Sequence, residues 1–192
     1  MKKIVLIGGG GHCKSVIDVI EQEGRFEIAG IVDSPSLLGS DVLGYSVIGN
    51  DSDLSSLAKK YQYALITVGQ IKSSLPRRKL FDLAMKAGFK LPNIISPKAY
   101  VSKHSSIKNG VVIMHGAIIN SSTTIDDNCI INSMALIEHD CEISKHCHIS
   151  TNAIINGGVK INSGCFIGSG STTKESIVIK ENSFINAGSV VL

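Results

Sequence analysis

The chain has 192 residues, with 19 Lys and Arg against 16 Asp and Glu and a formal net charge of +3. Apolar residues make up 43%, charged residues 18% and aromatics 5%, with no Trp. This length and apolar content exclude a disordered chain and suffice for one or two small domains, and a near-balanced charge without a basic block speaks against nucleic-acid binding.

At the N-terminus, Lys2 and Lys3 precede only Ile4 to Ile7 before four glycines, too short a run for a signal peptide. No stretch reaches the length of a membrane span. The five cysteines, an odd number, are expected to be reduced thiols. A cytoplasmic location with no membrane partner is therefore expected.

Residues 1–95 read as alternating strands and helices. Ile4 to Ile7 is a buried strand bounded by Gly8 to Gly11, and Ser15 to Ile20 carries a helical apolar face that stops at Gly24. Glu27 to Asp33 is a second strand. Asp51 to Lys60 is a short helix, with Asp51 or Ser52 as its N-cap. Ala64 to Val68 is a third strand ending at Gly69. Ser74 to Ala87 is a helix with Pro76 in its first turn and Gly88 beyond its end. The alternation predicts a small Rossmann-like parallel sheet, an α/β domain.

Residues 96–192 follow a different rule. From Val101, every sixth residue through Val191 is Ile or Val, except Thr173. The position four residues further on is mostly small, and Cys129, Cys141, Cys147 and Cys165 all occupy it as interior fillers. Asn, Gly, Asp and Ser lie between. Each hexad is one short strand and one corner, and three hexads make one triangular coil. The second domain is thus an all-β parallel β-helix of about five coils. Period alone leaves its handedness open.

The hexads resemble those of the hexapeptide-repeat acyltransferases. The resemblance implies a left-handed β-helix, a homotrimer and acyl-CoA sites between adjacent β-helices. The whole chain narrows it. KIVLIGGGGH from Lys3, NSMALIEHD at 132–140 and HISTNAIINGGVKI at 148–161 resemble the bacterial amino-sugar N-acetyltransferases of the bacillosamine pathway, and equally the sialic-acid O-acetyltransferases. Acetyl-CoA is then the expected co-substrate, with no metal. The family usually continues with a Gly-x-Pro segment over the CoA, whereas this sequence stops at Val190-Val191-Leu192, on a hexad boundary, so either the sequence is cut short there or the protein lacks that cover.

Acetyl transfer needs a group that accepts the proton of the attacking amine or hydroxyl, and histidine suits this near neutral pH. His139 lies off both interior positions of its hexad, beside Asp140. The resemblance puts the general base at His139 and its acidic supporter at Asp140. Asp140 stands where a relative carries Glu, so its reach is one methylene shorter. The bland alternative is an exposed corner histidine. Glu138-His139-Asp140 is a poor metal site, since consecutive residues seldom converge on an ion. The resemblance places His148 at the thioester, where an imidazole N–H would polarise the carbonyl. It places Ser169 and Ala187 along the CoA path through their backbones. Asn132 is expected to hydrogen-bond the reacting sugar. His146 is expected at the surface, and His104 and His115 are structural or solvent-facing.

Gly8 to Gly11 follows a strand and opens a helix, an arrangement that turns backbone N–H groups toward phosphate. Asp33 ends the second strand, where a dinucleotide fold places its ribose acceptor. Cys13 replaces the third fingerprint glycine, which disfavours a dinucleotide cofactor. The resemblance carries Gly10, Gly11, His12, Asp33 and Gly69 into nucleotide-sugar binding and pairs Arg77 with phosphate. A loop kept only for a tight turn is the alternative. Free sialic acid has no diphosphate to use the glycine turn. The reading is therefore N-acetylation of a UDP-linked 4-amino sugar for bacterial glycan synthesis, followed by sialic-acid O-acetylation, and then by a non-catalytic β-helix scaffold.

Overall fold

The computed structural model describes residues 1–192. It divides into one unit of Met1–Gly69 and Leu75–Ile94 and a second of Gln70–Ser74 and Ile95–Leu192. The sequence boundary near residue 95 misses the short excursion at 70–74. Gln70 leaves the first unit because its Nε2 donates to the carbonyls of His146 at 2.9 Å and Cys165 at 3.3 Å.

The first unit runs β1 (Lys2–Ile7), α1 (Gly11–Glu23), β2 (Phe26–Val32), β3 (Asp41–Val42), β4 (Tyr45–Gly49), α2 (Leu54–Lys60), β5 (Tyr63–Ile66) and α3 (Leu75–Ala87). The sheet order is β3-β4-β2-β1-β5. β1 pairs in parallel with β2 and β5, and β2 pairs in parallel with β4. Ile4 to Ile7 are consecutively buried, as expected of a central strand covered on both faces. β3 is an antiparallel edge strand that the sequence did not reveal.

α1 begins at Gly11, four residues before its apolar face begins, and ends at Gly24, whose φ of +68° is the left-handed conformation glycine adopts freely. The 51–60 segment is one turn of 3₁₀-helix followed by α2. Its cap is Asn50 rather than Asp51 or Ser52. The Asn50 side chain accepts from the Ser52 N–H at 2.9 Å, and Asp53 Oδ2 accepts from the Asn50 N–H at 2.9 Å.

In the second unit, two-residue strands recur every six residues and form three parallel sheets of six, five and six strands. Each strand pairs with the one eighteen residues on, as in Ile119↔Ile137, Ile131↔Ile149 and Ile143↔Ile161. One coil is therefore three hexads. The branched residues from Ile113 to Ile167 are all buried at 2% exposure or less, with the small residues Ala117 to Cys165 stacked beside them. Each Ile so buried contributes about 1.5–3 kcal/mol. Thr173 takes the one polar place in that column at 1% exposure.

From Gly110 to Gly188 every corner holds one residue in left-handed conformation, again at a period of six. Ser122, Asn128, Met134, Asp140, His146 and Asn152 are successive examples, with φ from +57° to +60°. Asn, Asp and Gly tolerate this best, which explains why the corners are rich in them. No helix of the protein is long and apolar enough to cross a membrane.

Candidate active site

His139 and Asp140 follow the strand Leu136–Ile137. Ile137 points into the core, so the chain turns the corner just as these two residues emerge. Asp140 takes the left-handed place with φ +59°. That turn swings its carboxylate back to the preceding ring, and Asp140 Oδ2 accepts from His139 Nδ1–H at 2.7 Å. The shorter aspartate does reach. With Nδ1–H so committed, the neutral ring carries its lone pair on Nε2. The ring is 63% exposed.

The ring also rests on backbone. A Cβ added to Gly157 would lie 2.8 Å from His139 Cε1 and 3.0 Å from Nε2. Gly157 stands one coil beyond His139, eighteen residues on. Glu138, by contrast, turns away and accepts from Asn120 Nδ2 at 2.8 Å. No group of three His, Cys, Asp or Glu residues could hold a metal ion.

A second polar set lies at a neighbouring corner. His148 is 6% exposed. Its Nδ1–H donates to the Gln70 carbonyl at 2.5 Å, and its Nε2 accepts from Asn132 Nδ2 at 3.2 Å. Asn132 Oδ1 in turn accepts from the Ser133 N–H at 2.8 Å, which fixes the amide orientation. Ser150 Oγ and Ser169 Oγ are 2.9 Å apart. Ser169 and Ala187 are exposed and stack on adjacent coils.

In the first unit, the glycine loop is held from below. Asp33 Oδ2 accepts from the Gly9 N–H at 2.5 Å, and its Oδ1 accepts from the Ser34 N–H at 2.6 Å. Thr67 Oγ1 donates to the Gly8 carbonyl at 2.6 Å. Gly8 has a φ of +106°, and a Cβ there would strike Val68 Cγ2. Gly10 and Gly11 differ, for nothing lies within 4 Å of where their Cβ atoms would be. Gly10 caps α1 with no side-chain hydrogen bond. The start of α1 is therefore sterically open at Gly10 and Gly11 and carries no side-chain cap, and a helix N-terminus of this kind suits an anion. Gly69 faces the same turn, its Cβ direction 3.4 Å from His12 Cβ.

Residues 3–82 match the family model described as the PglD N-terminal domain. A perosamine N-acetyltransferase from Caulobacter crescentus, solved with CoA and GDP-perosamine, is 33% identical over 100% of this chain and 89% of its own, with a TM-score of 0.93. The acetyltransferase domain of PglB from Neisseria gonorrhoeae is 30% identical over 100% of this chain and 92% of its own, with a TM-score of 0.92. The chain belongs to the hexapeptide-repeat amino-sugar acetyltransferases. WeeI from Acinetobacter baumannii, 22% identical over 100% of this chain and 92% of its own with a TM-score of 0.88, shares the fold. No curated protein sequence matches the chain significantly.

As in that family, the second unit of this acetyltransferase is a left-handed parallel β-helix. Several sequence expectations for the family's residues change at the level of atoms. Arg77 was expected to pair with phosphate. It is fully buried, and its Nη1 donates to the carbonyls of Ile66 at 2.6 Å and Val68 at 2.8 Å, tying α3 to the end of β5. His148 has no N–H to offer a thioester, because its one ring N–H is spent on Gln70. His146 is 8% exposed rather than on the surface, with Nδ1 3.0 Å from Asn128 Nδ2. His115 Nδ1 is 2.6 Å from Ser96 Oγ, and His104 is exposed. Cys13 is buried, and burial first of all pushes its thiol up to about 11. It is therefore an inert filler in the acetyltransferase's helix α1.

The structure brings together His139 with Asp140, and separately Asn132 with His148 and Ser150 with Ser169. It does not bring these two corners together within one chain. Gly157, Gln70 and Asn120 escaped the sequence reading. For Gly157 the signal was present, since eighteen residues separate stacked neighbours. Gln70 and Asn120 left no such trace.

Proposed function

We propose that this protein transfers an acetyl group from acetyl-CoA to the amino group of a nucleotide-linked 4-amino sugar, for bacterial glycan synthesis. The observation that carries the reading is the His139–Asp140 pair, an imidazole with its N–H anchored and its acceptor nitrogen on an exposed ring. Family membership supplies the donor, and relatives solved with CoA or acetyl-CoA support it. The residues fit that donor, because the exposed base and the exposed stack of Ser169 and Ala187 leave backbone accessible along the wall.

Bound acetyl-CoA supplies the acetyl group as a thioester and departs as the thiol. His139 Nε2 takes the proton released as the amine nitrogen forms its bond to the acetyl carbon and the carbon–sulfur bond breaks. Asp140 holds the ring in the required tautomer and offsets the charge of the imidazolium. His139 then returns the proton to the leaving sulfur. His148 acts one step back, by fixing Asn132.

The glycine loop supports a diphosphate-linked acceptor. Gly10 and Gly11 leave space for close approach, and the uncapped start of α1 offers N–H groups to phosphate oxygens. Asp33 Oδ2 braces the loop, and its remaining lone pairs suit a ribose hydroxyl. We read the nucleotide as UDP, by likeness to the bacillosamine branch. GDP is the second reading, favoured by the Caulobacter crescentus relative solved with GDP-perosamine.

A homotrimer accounts for the separated corners. The sheet between them presents Tyr100, Ile118, Leu136, Ile154, Thr172 and Val190 outward. The His139 corner lies at one edge of this apolar face and the Asn132–Ser169 corner at the other. Copies packed through the face bring unlike corners together. Five buried free cysteines suit a reducing compartment, and the cytoplasm is the proposed location.

His139→Ala should abolish turnover, while sedimentation and thermal unfolding stay as in the parent. Near-parental turnover would refute the assignment of the base. Calorimetric titration with UDP, GDP, their amino-sugar conjugates and free sialic acid tests the acceptor. Either nucleoside diphosphate should bind more tightly than sialic acid, and the tighter one names the base; the reverse order establishes the O-acetylation reading.

A further inference from the structure

The interior column of the β-helix is broken once, at Thr173, and that break lies one coil beyond the rung that carries the floor of His139. Elsewhere the residue after the inward Ile donates its N–H to the carbonyl seventeen residues on, as Asn120 does to Ile137 and Glu138 to Ile155, each at 2.9 Å. At Asn156 this rung is exchanged. The Asn156 N–H donates to Thr173 Oγ1 at 3.0 Å, and the Asn156 side-chain Nδ2 donates to the Thr173 carbonyl at 2.7 Å. An Ile side chain at 173 could accept nothing from the Asn156 N–H, which would then return to the residue-173 carbonyl as in the other rungs. Thr173 is 1% exposed, so its hydroxyl costs stability unless it is bonded. The Asn156 amide meets that need and is itself fixed by it.

The next residue is Gly157. The three heavy atoms nearest to its absent Cβ are Cε1, Nε2 and Nδ1 of His139, at 2.8, 3.0 and 3.4 Å. Only the ring of the base needs this residue to be glycine, because Gly157 is not among the glycines with positive φ. The backbone around it is anchored as well, by Gly158 N–H to the His139 carbonyl and Ser176 N–H to the Gly157 carbonyl, each at 2.9 Å. Asp140 restrains the ring from its Nδ1 side, and Gly157 limits how far it can tilt toward the wall.

We propose that Gly157, held in place by the Asn156–Thr173 bracket, is a positioning residue that sets the height and tilt of the His139 ring. This rests on His139 being the general base. In the intact enzyme, Gly157→Ala inserts a methyl group under the ring and displaces Nε2 by several tenths of an ångström or more. Misplacement on that scale costs up to roughly a hundredfold in rate.

The test measures kcat, both KM values and thermal unfolding for Gly157→Ala, Thr173→Val, Thr173→Ser and His139→Ala. Expected are a kcat lowered roughly tenfold to a hundredfold in Gly157→Ala, KM values within about twofold, and an unfolding midpoint not lowered. Thr173→Val should lower kcat in the same manner, and Thr173→Ser, which keeps the hydroxyl, should restore it. Gly157→Ala with parental kcat while His139→Ala is inactive overturns the positioning role alone. Near-parental turnover in His139→Ala overturns the base itself. Should Gly157→Ala not fold, the Thr173 pair decides, and equal kcat in its Val and Ser forms sinks the proposal.

Discussion

Single residues here do two kinds of work that sequence alone separates poorly. Arg77 and His139 are both polar residues matched by family resemblance. One is sealed in the core and the other stands in solvent. Arg77 ties two carbonyls at the end of β5, so its charge is spent on the fold. Replacing it by Met keeps much of the apolar stem but leaves both carbonyls short of a donor. We expect Arg77→Met to lower the unfolding free energy by about 3 kcal/mol, read by urea titration. Nucleotide affinity per folded molecule should be unchanged; a selective loss of affinity with parental stability would return Arg77 to phosphate binding. His139 was legible because the hexad register tells inside from outside. Arg77 was not, because a helix start after a loop gives no such register, and burial depends on what the tertiary fold lays over it.

At the level of elements, legibility follows how often a constraint repeats. The hexads impose the same inward Ile, small filler and left-handed corner coil after coil, so a single misread position is outvoted. The pairing Ile143↔Ile161 is visible in the sequence as a spacing of eighteen. β3 and β4 have no such redundancy. β3 is two residues long, and the Leu43-Gly44 turn between them takes φ values of +53° and +87°. A turn carried by Leu looks like strand rather than punctuation. The Asn50 cap was misplaced by one or two residues for a related reason, since Asn, Asp and Ser are adjacent there and all cap well. The most informative departure is Thr173. As a break in a repeat it is conspicuous, but its meaning depends on Asn156 reaching it from the coil before, a contact that period alone does not specify. The proposed catalytic corner is therefore half legible. The proposed base and its carboxylate are consecutive in sequence, whereas the floor beneath the ring lies one full coil away.

For the whole molecule, the outward face between the two polar corners decides how complete one chain can be. Ile118 is 40% exposed, Tyr100 59% and Val190 72%, and they lie in one ladder. A ladder of this kind marks an association surface more readily than scattered single residues do. The opposite arrangement is seen on the sheet carrying Ser106, Thr124, Glu142, Lys160 and Val178, where Lys160 and Glu142 pair at 2.9 Å and the face is mostly polar. Burial on association would also strip water from the 63%-exposed His139–Asp140 pair and strengthen its hydrogen bond. Ile118→Lys places a charge in the ladder, one strand in from its Tyr100 edge, without touching the core, because Ile118 points outward while its neighbour Ile119 is fully buried. The variant should therefore keep parental circular dichroism and unfold as an intact β-helix. In sedimentation velocity at micromolar concentration the parent should run as a trimer and the variant as a monomer. Turnover should fall with the trimer, because His139 then lacks the Asn132–Ser169 corner of a neighbouring copy. It should recover in part at higher protein concentration as association is restored by mass action. A monomeric variant with full turnover would mean that one chain holds a complete site, and a parent protein that sediments as a monomer would remove the trimer reading altogether.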